Sequence, residues 1–337
     1  MSAAIDVFCH WLPQPFVEVA LARAGDRLHM LGRAAQLEVM VNLDARFAVM
    51  DRFAGYRQVP SIASPPIELI DGPENTPEIA RLANDAQAAM VQAHPDRFAG
   101  FVAALPMNNP DAAVAEAERA VGTLNATGVQ VFSNVLGRPL DEPPYLQVLE
   151  RMGELGKPVW LHPARGMKPP DYLGEEVSKF DLWWALGWPH ETSVAMGRLV
   201  FSGLFDRYPD LVIVTHHAGG TIPLMEGRLD SGLEMLGTRQ PPGLEAAVVT
   251  SLQERPLDAF KRFYADTATF GSGAALACGL AFFGSERLFF ASDMPFDPEQ
   301  GPGYIRATLA ALDTLDLPAG VREDILAGNA RRVLGLQ

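Results

Sequence analysis

Short apolar runs alternate with longer amphipathic segments along the whole chain. The apolar runs are rich in Val, Ile, Phe and Ala and are bounded by Gly, Pro, Asp or Asn. They read AAIDVF, YRQVPSIA, FAGFVAAL, GVQVFS, PVWLHP, LVIVTHH, FYADTAT and LFFASDMPF. Runs of this length and composition are typical of buried β-strands. The chain therefore predicts eight short strands.

The segments between the strands favour helices. TPEIARLANDAQAAMVQAHPDRF, NPDAAVAEAERAVG and PPYLQVLERMGELGK repeat apolar residues at intervals of three and four. The second segment has a capping residue, a proline in the first turn and early acidic residues. Because parallel strands need helical crossovers, this alternation predicts a (β/α)8 barrel, one domain over residues 1–337. Residues 55–76 and 164–190 are predicted to be irregular loops over the active face.

Composition limits the possible partners. The 337 residues are compatible with one barrel, and the formal net charge of −14 without a basic run argues against nucleic acid binding. No apolar stretch reaches the ~18 residues of a membrane span, and no secretory leader is recognisable. Cys9 and Cys278 form neither a CxxC pair nor a disulfide framework. We expect a cytoplasmic protein without a membrane partner.

Four of the predicted strands end in polar residues that suit metal chemistry. These residues are His10, His162, the pair His216 and His217, and Asp293. One such histidine is usually structural, but barrels carry their chemistry at the C-terminal ends of the strands. Imidazole and carboxylate groups bind zinc or manganese. The pattern therefore predicts one shared site on the active face.

Other histidines and tryptophans give weaker signals. His29 and His94 are predicted to lie on the surface, and His190 fits either loop structure or substrate contact. The tryptophans of DLWWALGWP are typical of a hydrophobic lid.

Longer motifs resemble a known family. GRLVFSGLFDRYPDLVIVTHHAGGTIPLMEGRLD, RFYADTATF, FFASDMPF and LHP resemble the amidohydrolase-related decarboxylases typified by aminocarboxymuconate-semialdehyde decarboxylase. That group includes decarboxylases of hydroxylated benzoates. The resemblance covers almost the whole chain in barrel order. It implies metal-dependent, non-oxidative decarboxylation of a small aromatic or unsaturated carboxylic acid, and a homodimer.

The resemblance also implies roles for individual residues. It implies His10, His162 and Asp293 as ligands of a divalent metal, most simply zinc, with manganese as the alternative. It implies His217 and Asp293 as catalytic residues. It implies three substrate-binding residues, Arg46, Arg228 and Trp184. In relatives the residue matching Arg228 can reach the neighbouring subunit's site.

Phe8 departs from the family pattern. Relatives have His or Glu there as the first metal ligand, and a phenyl group cannot replace it. Three remaining ligands suffice for a catalytic zinc with an open position, and His216 or His217 could complete the shell. We expect Phe8 to make the barrel mouth drier and to contact an aromatic substrate.

Two other functions fit the same barrel. A hydrolase, either a lactonase or a carbon–carbon bond hydrolase acting on a ring-cleavage product, would use the same carboxylate-binding arginines. Some of these lactonases need no metal, which would suit the loss of a ligand. A non-catalytic binding protein is the third interpretation. Release of CO2 would distinguish a decarboxylase from a hydrolase or a binding protein. The fold alone cannot, because one fold hosts many reactions.

Overall fold

The structure is a computed structural model that describes residues 3–233, 235–236, 239, 241 and 252–337. Eight parallel strands form its centre. Each overlaps one of the predicted apolar runs. They are β1 (Ala4–His10), β2 (Tyr56–Ser61), β3 (Val102–Ala104), β4 (Gly128–Phe132), β5 (Val159–His162), β6 (Ile213–Thr215), β7 (Tyr264–Asp266) and β8 (Leu288–Phe289). The predicted strand pattern is confirmed.

The strands follow one another around a ring. Strands β3 to β8 form one parallel sheet in chain order, and β1 pairs with β2. Backbone hydrogen bonds join the two sheets at both seams. At one, the Ala99 N–H donates to the Gln58 carbonyl at 2.8 Å; at the other, the Val7 N–H donates to the Phe290 carbonyl at 3.0 Å. This order and the helical crossovers confirm the α/β barrel class.

Helices connect the strands, and the three predicted ones are present. Asn109 caps the second, since its side chain accepts from the Ala112 N–H at 3.3 Å. The helices are Gln14–Ala24, His29–Ala35, Glu38–Val41, Leu43–Met50, Thr76–Ala93, Pro110–Gly122, Pro143–Glu154, Leu182–Ala185, Gly187–Phe201, Leu204–Arg207, Glu226–Leu233, Pro256–Phe260, Gly273–Phe283, Pro302–Asp313, Val321–Glu323 and Asn329–Leu334. In the described ranges, no helix is long and apolar enough to cross a membrane.

Alternate strand residues fill two cores. Val159 and Leu161 pack outward against the helices, whereas Trp160 between them packs with inward residues of other strands. Trp160 is fully buried, and its indole Nε1–H reaches the Val7 carbonyl of β1 at 2.9 Å. The interior of the ring is therefore packed with side chains, as in other barrels of this size.

The two predicted active-face loops are shorter than 55–76 and 164–190. In the range 55–76, the first residues belong to strand β2, and the loop that follows contains a 3₁₀ turn, Ile67–Leu69. The range 164–190 is irregular until the short helix Leu182–Ala185, and the helix Gly187–Phe201 follows. Both loops leave the C-terminal end of a strand, where barrels carry their sites.

Candidate active site

The structure brings the predicted strand-end residues together. His10 Nε2 lies 3.1 Å from Asp293 Oδ1, and His217 Nε2 lies 3.4 Å from Asp293 Oδ2. The ring centroids of His10 and His162 are 5.5 Å apart, as are those of His162 and His216. The site residues from β1, β5, β6 and β8 therefore form one cluster.

Asp293 and His217 form a hydrogen-bonded pair in strained backbone. Burial alone would raise the pKa of Asp293, but hydrogen bonds from His10 and His217 outweigh it and hold that pKa well below its usual range. Burial would likewise lower the pKa of His217, yet the hydrogen bond and charge of Asp293 raise it. Both residues have positive φ, 54° for His217 and 61° for Asp293. Such strain in non-glycine residues concentrates at functional sites.

His162 and His216 are held neutral, each with its Nδ1 fixed. His162 Nδ1 lies 2.7 Å from the Pro163 carbonyl, and His216 Nδ1 lies 2.8 Å from Asp266 Oδ2. Because these oxygens accept hydrogen bonds, Nδ1 carries the proton and Nε2 carries the lone pair. Burial and the neighbouring histidines keep the pKa of both rings well below the ordinary value. Among the described residues His216 Nε2 has no hydrogen-bond partner.

Asp266, which the sequence analysis did not assign, orients His216. Its Oδ1 accepts from the backbone N–H groups of Ala218 at 3.2 Å and Ala268 at 3.0 Å. Burial raises the pKa of this carboxyl to about 6. The signal was available in the sequence, since Asp266 lies within the seventh apolar run and ends strand β7.

Phe8 lies among the imidazoles and is only 1% exposed. Its ring stacks on His216 with centroids 3.5 Å apart and planes inclined by 14°. It also meets the rings of His10 at 4.8 Å and His162 at 5.5 Å. Phe8 thus lies within the cluster of strand-end imidazoles, close to the point where the register of β1 with β2 shifts by one residue. Contact with a substrate stays a prediction.

The side chains of the cluster are not arranged as a complete metal site in this structure. In the part of the chain that the structure describes, no group of three or more His, Cys, Asp or Glu side chains is arranged to hold a metal ion. The His10–Asp293 separation of 3.1 Å is that of two ligands sharing one ion at bonds of ~2.1 Å. The role of His162 as a third ligand stays a prediction.

Arg46 is fully buried beneath the site. Its Nε donates to Gln58 Oε1 at 2.6 Å and its Nη1 to the His10 carbonyl at 2.7 Å. Its Nη2 is buried and, within the described residues, has no partner. The observed contacts support the backbone of His10, and only Nη2 is free for the predicted substrate contact.

Aromatic rings surround the cluster. Trp184 is 39% exposed and lies 6.4 Å from both Trp188 and Phe270. Trp188 lies 5.5 Å from His162, and Phe270 lies 5.5 Å from His217. Trp184 was expected to bind substrate and Trp188 to be part of a hydrophobic lid, whereas Phe270 was not predicted, although it follows a strand end. These rings form an aromatic rim that suits a flat ligand.

The other predicted residues lie apart from these contacts. Arg228 is exposed on the helix Glu226–Leu233, and no ion pair or hydrogen bond of its side chain occurs among the described residues. His29 and His190 are exposed, whereas His94 packs its ring 5.0 Å from that of Phe47.

The chain belongs to the amidohydrolase family, whose sequence profile matches residues 5–336. It is 34% identical to the gamma-resorcylate decarboxylase of Rhodococcus jostii over 268 residues, 75% of this chain and 77% of the relative. It is 29% identical to the 2-amino-3-carboxymuconate-6-semialdehyde decarboxylase of Dictyostelium discoideum over 266 residues, 78% of this chain and 68% of the relative. The family resemblance is confirmed.

Solved structures agree with this assignment. A 2,6-dihydroxybenzoate decarboxylase in complex with 2,6-dihydroxybenzoate is 27% identical, with a TM-score of 0.81 and full coverage of both chains. A dihydroxybenzoic acid decarboxylase from Polaromonas sp., with bound manganese and the inhibitor 2-nitroresorcinol, is 25% identical with a TM-score of 0.79, covering 99% of this chain and 97% of the other. These relatives are decarboxylases of aromatic acids, which favours that interpretation over a hydrolase.

Proposed function

We propose that this protein is a non-oxidative decarboxylase of a small aromatic carboxylic acid. The observation that carries the proposal is the contact of His10, Asp293 and His217 at the strand ends, inside the aromatic rim. The relatives support the reaction type, because those named above are decarboxylases.

The His217–Asp293 pair supplies the proton. Loss of CO2 leaves two electrons on a ring carbon, so that carbon must be protonated before the bond to the carboxylate breaks. His217 holds a proton at a raised pKa, and Asp293, 3.4 Å away, stabilises the imidazolium. Proton transfer from this pair to the ring carbon, then cleavage of the carbon–carbon bond, returns the electron pair to the ring and releases CO2.

The rim and the arginines bind the substrate. Trp184, Trp188 and Phe270 offer faces and edges to an aromatic ring and exclude water, which strengthens electrostatic contacts inside. In a chain of net charge −14, an anion needs local cations. We assign this role to the free Nη2 of Arg46 and to Arg228.

The donor chemistry fits a divalent cation. His10, His162 and Asp293 offer two imidazole nitrogens and a carboxylate oxygen, and the unpartnered Nε2 of His216 adds a fourth buried lone pair. When bound, the cation supplies positive charge that neutralises the substrate's carboxylate and a neighbouring hydroxyl. Manganese is the first choice, because a relative contains it, and zinc is the alternative. With Phe8 in place of a ligand, we expect weaker binding than in a four-ligand site.

We also propose a homodimer in the cytoplasm. Large apolar side chains are exposed on the loop and helices at the active face, among them Leu173, Phe180, Leu186 and Leu224. Exposed apolar side chains of this kind, with Leu224 just before the helix of Arg228, suit contact with a second copy of this chain. Both cysteines are free thiols, as expected in a reducing compartment.

The test is incubation with 2,6-dihydroxybenzoate, 5-carboxyvanillate and 6-methylsalicylate, with and without added Mn²⁺ or Zn²⁺. We expect CO2 and the matching arene from at least one acid. His217→Gln should abolish turnover, and His190→Gln, an exposed histidine outside the cluster, should not. No CO2 from a folded, metal-supplied protein with this panel would refute the proposal.

A further inference from the structure

Asp6 is a buried carboxylate that holds the turn carrying Asp293. It lies on β1, and its Oδ1 accepts from the Ser292 N–H at 3.2 Å while its Oδ2 accepts from the Ser292 hydroxyl. The Ser292 Oγ in turn accepts from the Met294 N–H at 3.2 Å. The residues on both sides of Asp293 are therefore fixed, and Asp293 between them has the left-handed φ of 61°.

The same carboxylate fixes the irregular part of β1. Asp6 Oδ1 also accepts from the Phe8 N–H at 3.1 Å, at the place where the register with β2 slips. Two backbone hydrogen bonds then tie this strand to the turn: the Asp293 N–H donates to the Phe8 carbonyl at 2.9 Å, and the His10 N–H donates to the Met294 carbonyl at 3.0 Å. The segment of β1 at the register shift and the turn around Asp293 are thus joined by hydrogen bonds into one unit.

A second arm runs from Asp6 to His10 through buried side chains. The Tyr56 hydroxyl donates to Asp6 Oδ2 at 2.5 Å, and Gln58 Nε2 donates to the Tyr56 oxygen at 3.0 Å. Arg46 Nε donates to Gln58 Oε1 at 2.6 Å, and its Nη1 donates to the His10 carbonyl at 2.7 Å. Both members of the His10–Asp293 pair are therefore connected to Asp6.

We infer that Asp6 is a positioning residue of the active site, which holds His10 Nε2 and Asp293 Oδ1 at their 3.1 Å contact. The role rests on the proposed function, because it serves the same site. Asp6 receives four hydrogen bonds, which a carboxylate accepts with two oxygens; an amide has one acceptor oxygen and would leave buried donors without partners. Misplacement of reacting groups by ~1 Å lowers turnover about 100-fold.

The test compares Asp6→Asn with variants of each arm and a matched control. Asn329 is the control, because it is equally buried and its amide donates to two backbone carbonyls, of Ser285 at 2.7 Å and of Leu288, the first residue of β8, at 2.8 Å. We expect Asp6→Asn to lower kcat about 100-fold with KM changed less than about threefold. Asn329→Ala should lower the melting temperature with kcat within about twofold of the parent.

The milder variants keep the test valid if Asp6→Asn folds poorly. Ser292→Ala removes the arm to Asp293 and should lower kcat about 10-fold; Tyr56→Phe removes the arm to His10 and should have a smaller effect. Folded variants of Asp6 and Ser292 with kcat within about threefold of the parent would overturn the inference. So would an equal loss of kcat in Asn329→Ala, since that would make the effect a general loss of stability.

A second readout is independent of turnover. The chain has seven histidines, so ¹⁵N-histidine labelling gives a simple spectrum in which His10 and His217 can be assigned by substitution. In metal-free protein, Asp6→Asn should shift both resonances and Asn329→Ala neither. Absence of CO2 release from the parent would refute the proposed function alone, whereas unchanged His10 and His217 resonances in folded Asp6→Asn would refute the positioning role alone.

Discussion

Replacement of Phe8 by histidine should raise the metal affinity of the proposed site. The new imidazole would lie beside His10 and His162, whose ring centroids are 4.8 and 5.5 Å from that of Phe8. Residues that only orient metal ligands account for 10- to 100-fold in affinity, so a direct donor should lower Kd by about 100-fold, or about 2.7 kcal/mol.

The same substitution should make the metal-free protein less stable. Phe8 is fully buried, and the more polar ring forfeits part of the ~1.5–3 kcal/mol that burial of a phenylalanine contributes. Metal at 100 times Kd adds back about 2.7 kcal/mol. The melting temperature of Phe8→His should therefore fall in chelator and recover in Mn²⁺ by more than the parent gains.

Thermal unfolding with and without Mn²⁺ or Zn²⁺, and elemental analysis after dialysis, measure both effects. Phe132→His is the matched control, since Phe132 is also buried and lies 4.9 Å from His162, on the neighbouring strand β4. Equal metal content in the parent and in Phe8→His would refute the reasoning, and so would an equal gain in Phe132→His.

Three other outcomes are expected. Asp293→Asn removes the charge that raises the pKa of His217, so kcat should fall at least 100-fold in a CO2-release assay, with the fold intact by circular dichroism. In the parent, kcat should decline as the pH rises through the pKa of His217, which lies above the ordinary 6.5, because the imidazolium then loses its proton; an alkaline limb that starts below pH 6.5 would contradict this. Burial raises the pKa of Asp266 from 3.8 to about 6, so its contribution to the free energy of unfolding is present below pH 3.8 and is lost as the pH rises through 6. Urea unfolding of the parent, compared with Asp266→Asn, should therefore show a loss of about 3 kcal/mol across this pH range. A difference between the two proteins that does not change with pH would contradict this prediction.

Local sequence patterns predicted the barrel and the meeting of its polar strand ends. The length and composition of the apolar runs indicate strands, and in a (β/α)8 barrel the C-terminal ends of all strands lie on one face. His10, His162 and Asp293 could therefore be expected near one another. The stacking of Phe8 on His216 could not be predicted, because ring contacts between strands distant in the chain leave no local signal in the sequence.

Buried polar contacts were the second element that escaped prediction. The hydrogen bonds of Asp6 and Arg46 join residues that are far apart in the chain, and no spacing rule connects them. Arg46 was expected to hold a substrate, and the structure instead places most of its donors on protein oxygens. Long-range pairing of this kind depends on the assembled tertiary structure, which propensity and periodicity do not encode.

Trp160 lies across the bore of the barrel, with its indole bonded to the opposite strand. Because Trp160 fills the interior of the barrel, we expect the acid to enter, and CO2 and the arene to leave, on the side of the aromatic rim. Release of the products past these aromatic rings can then limit the rate of turnover.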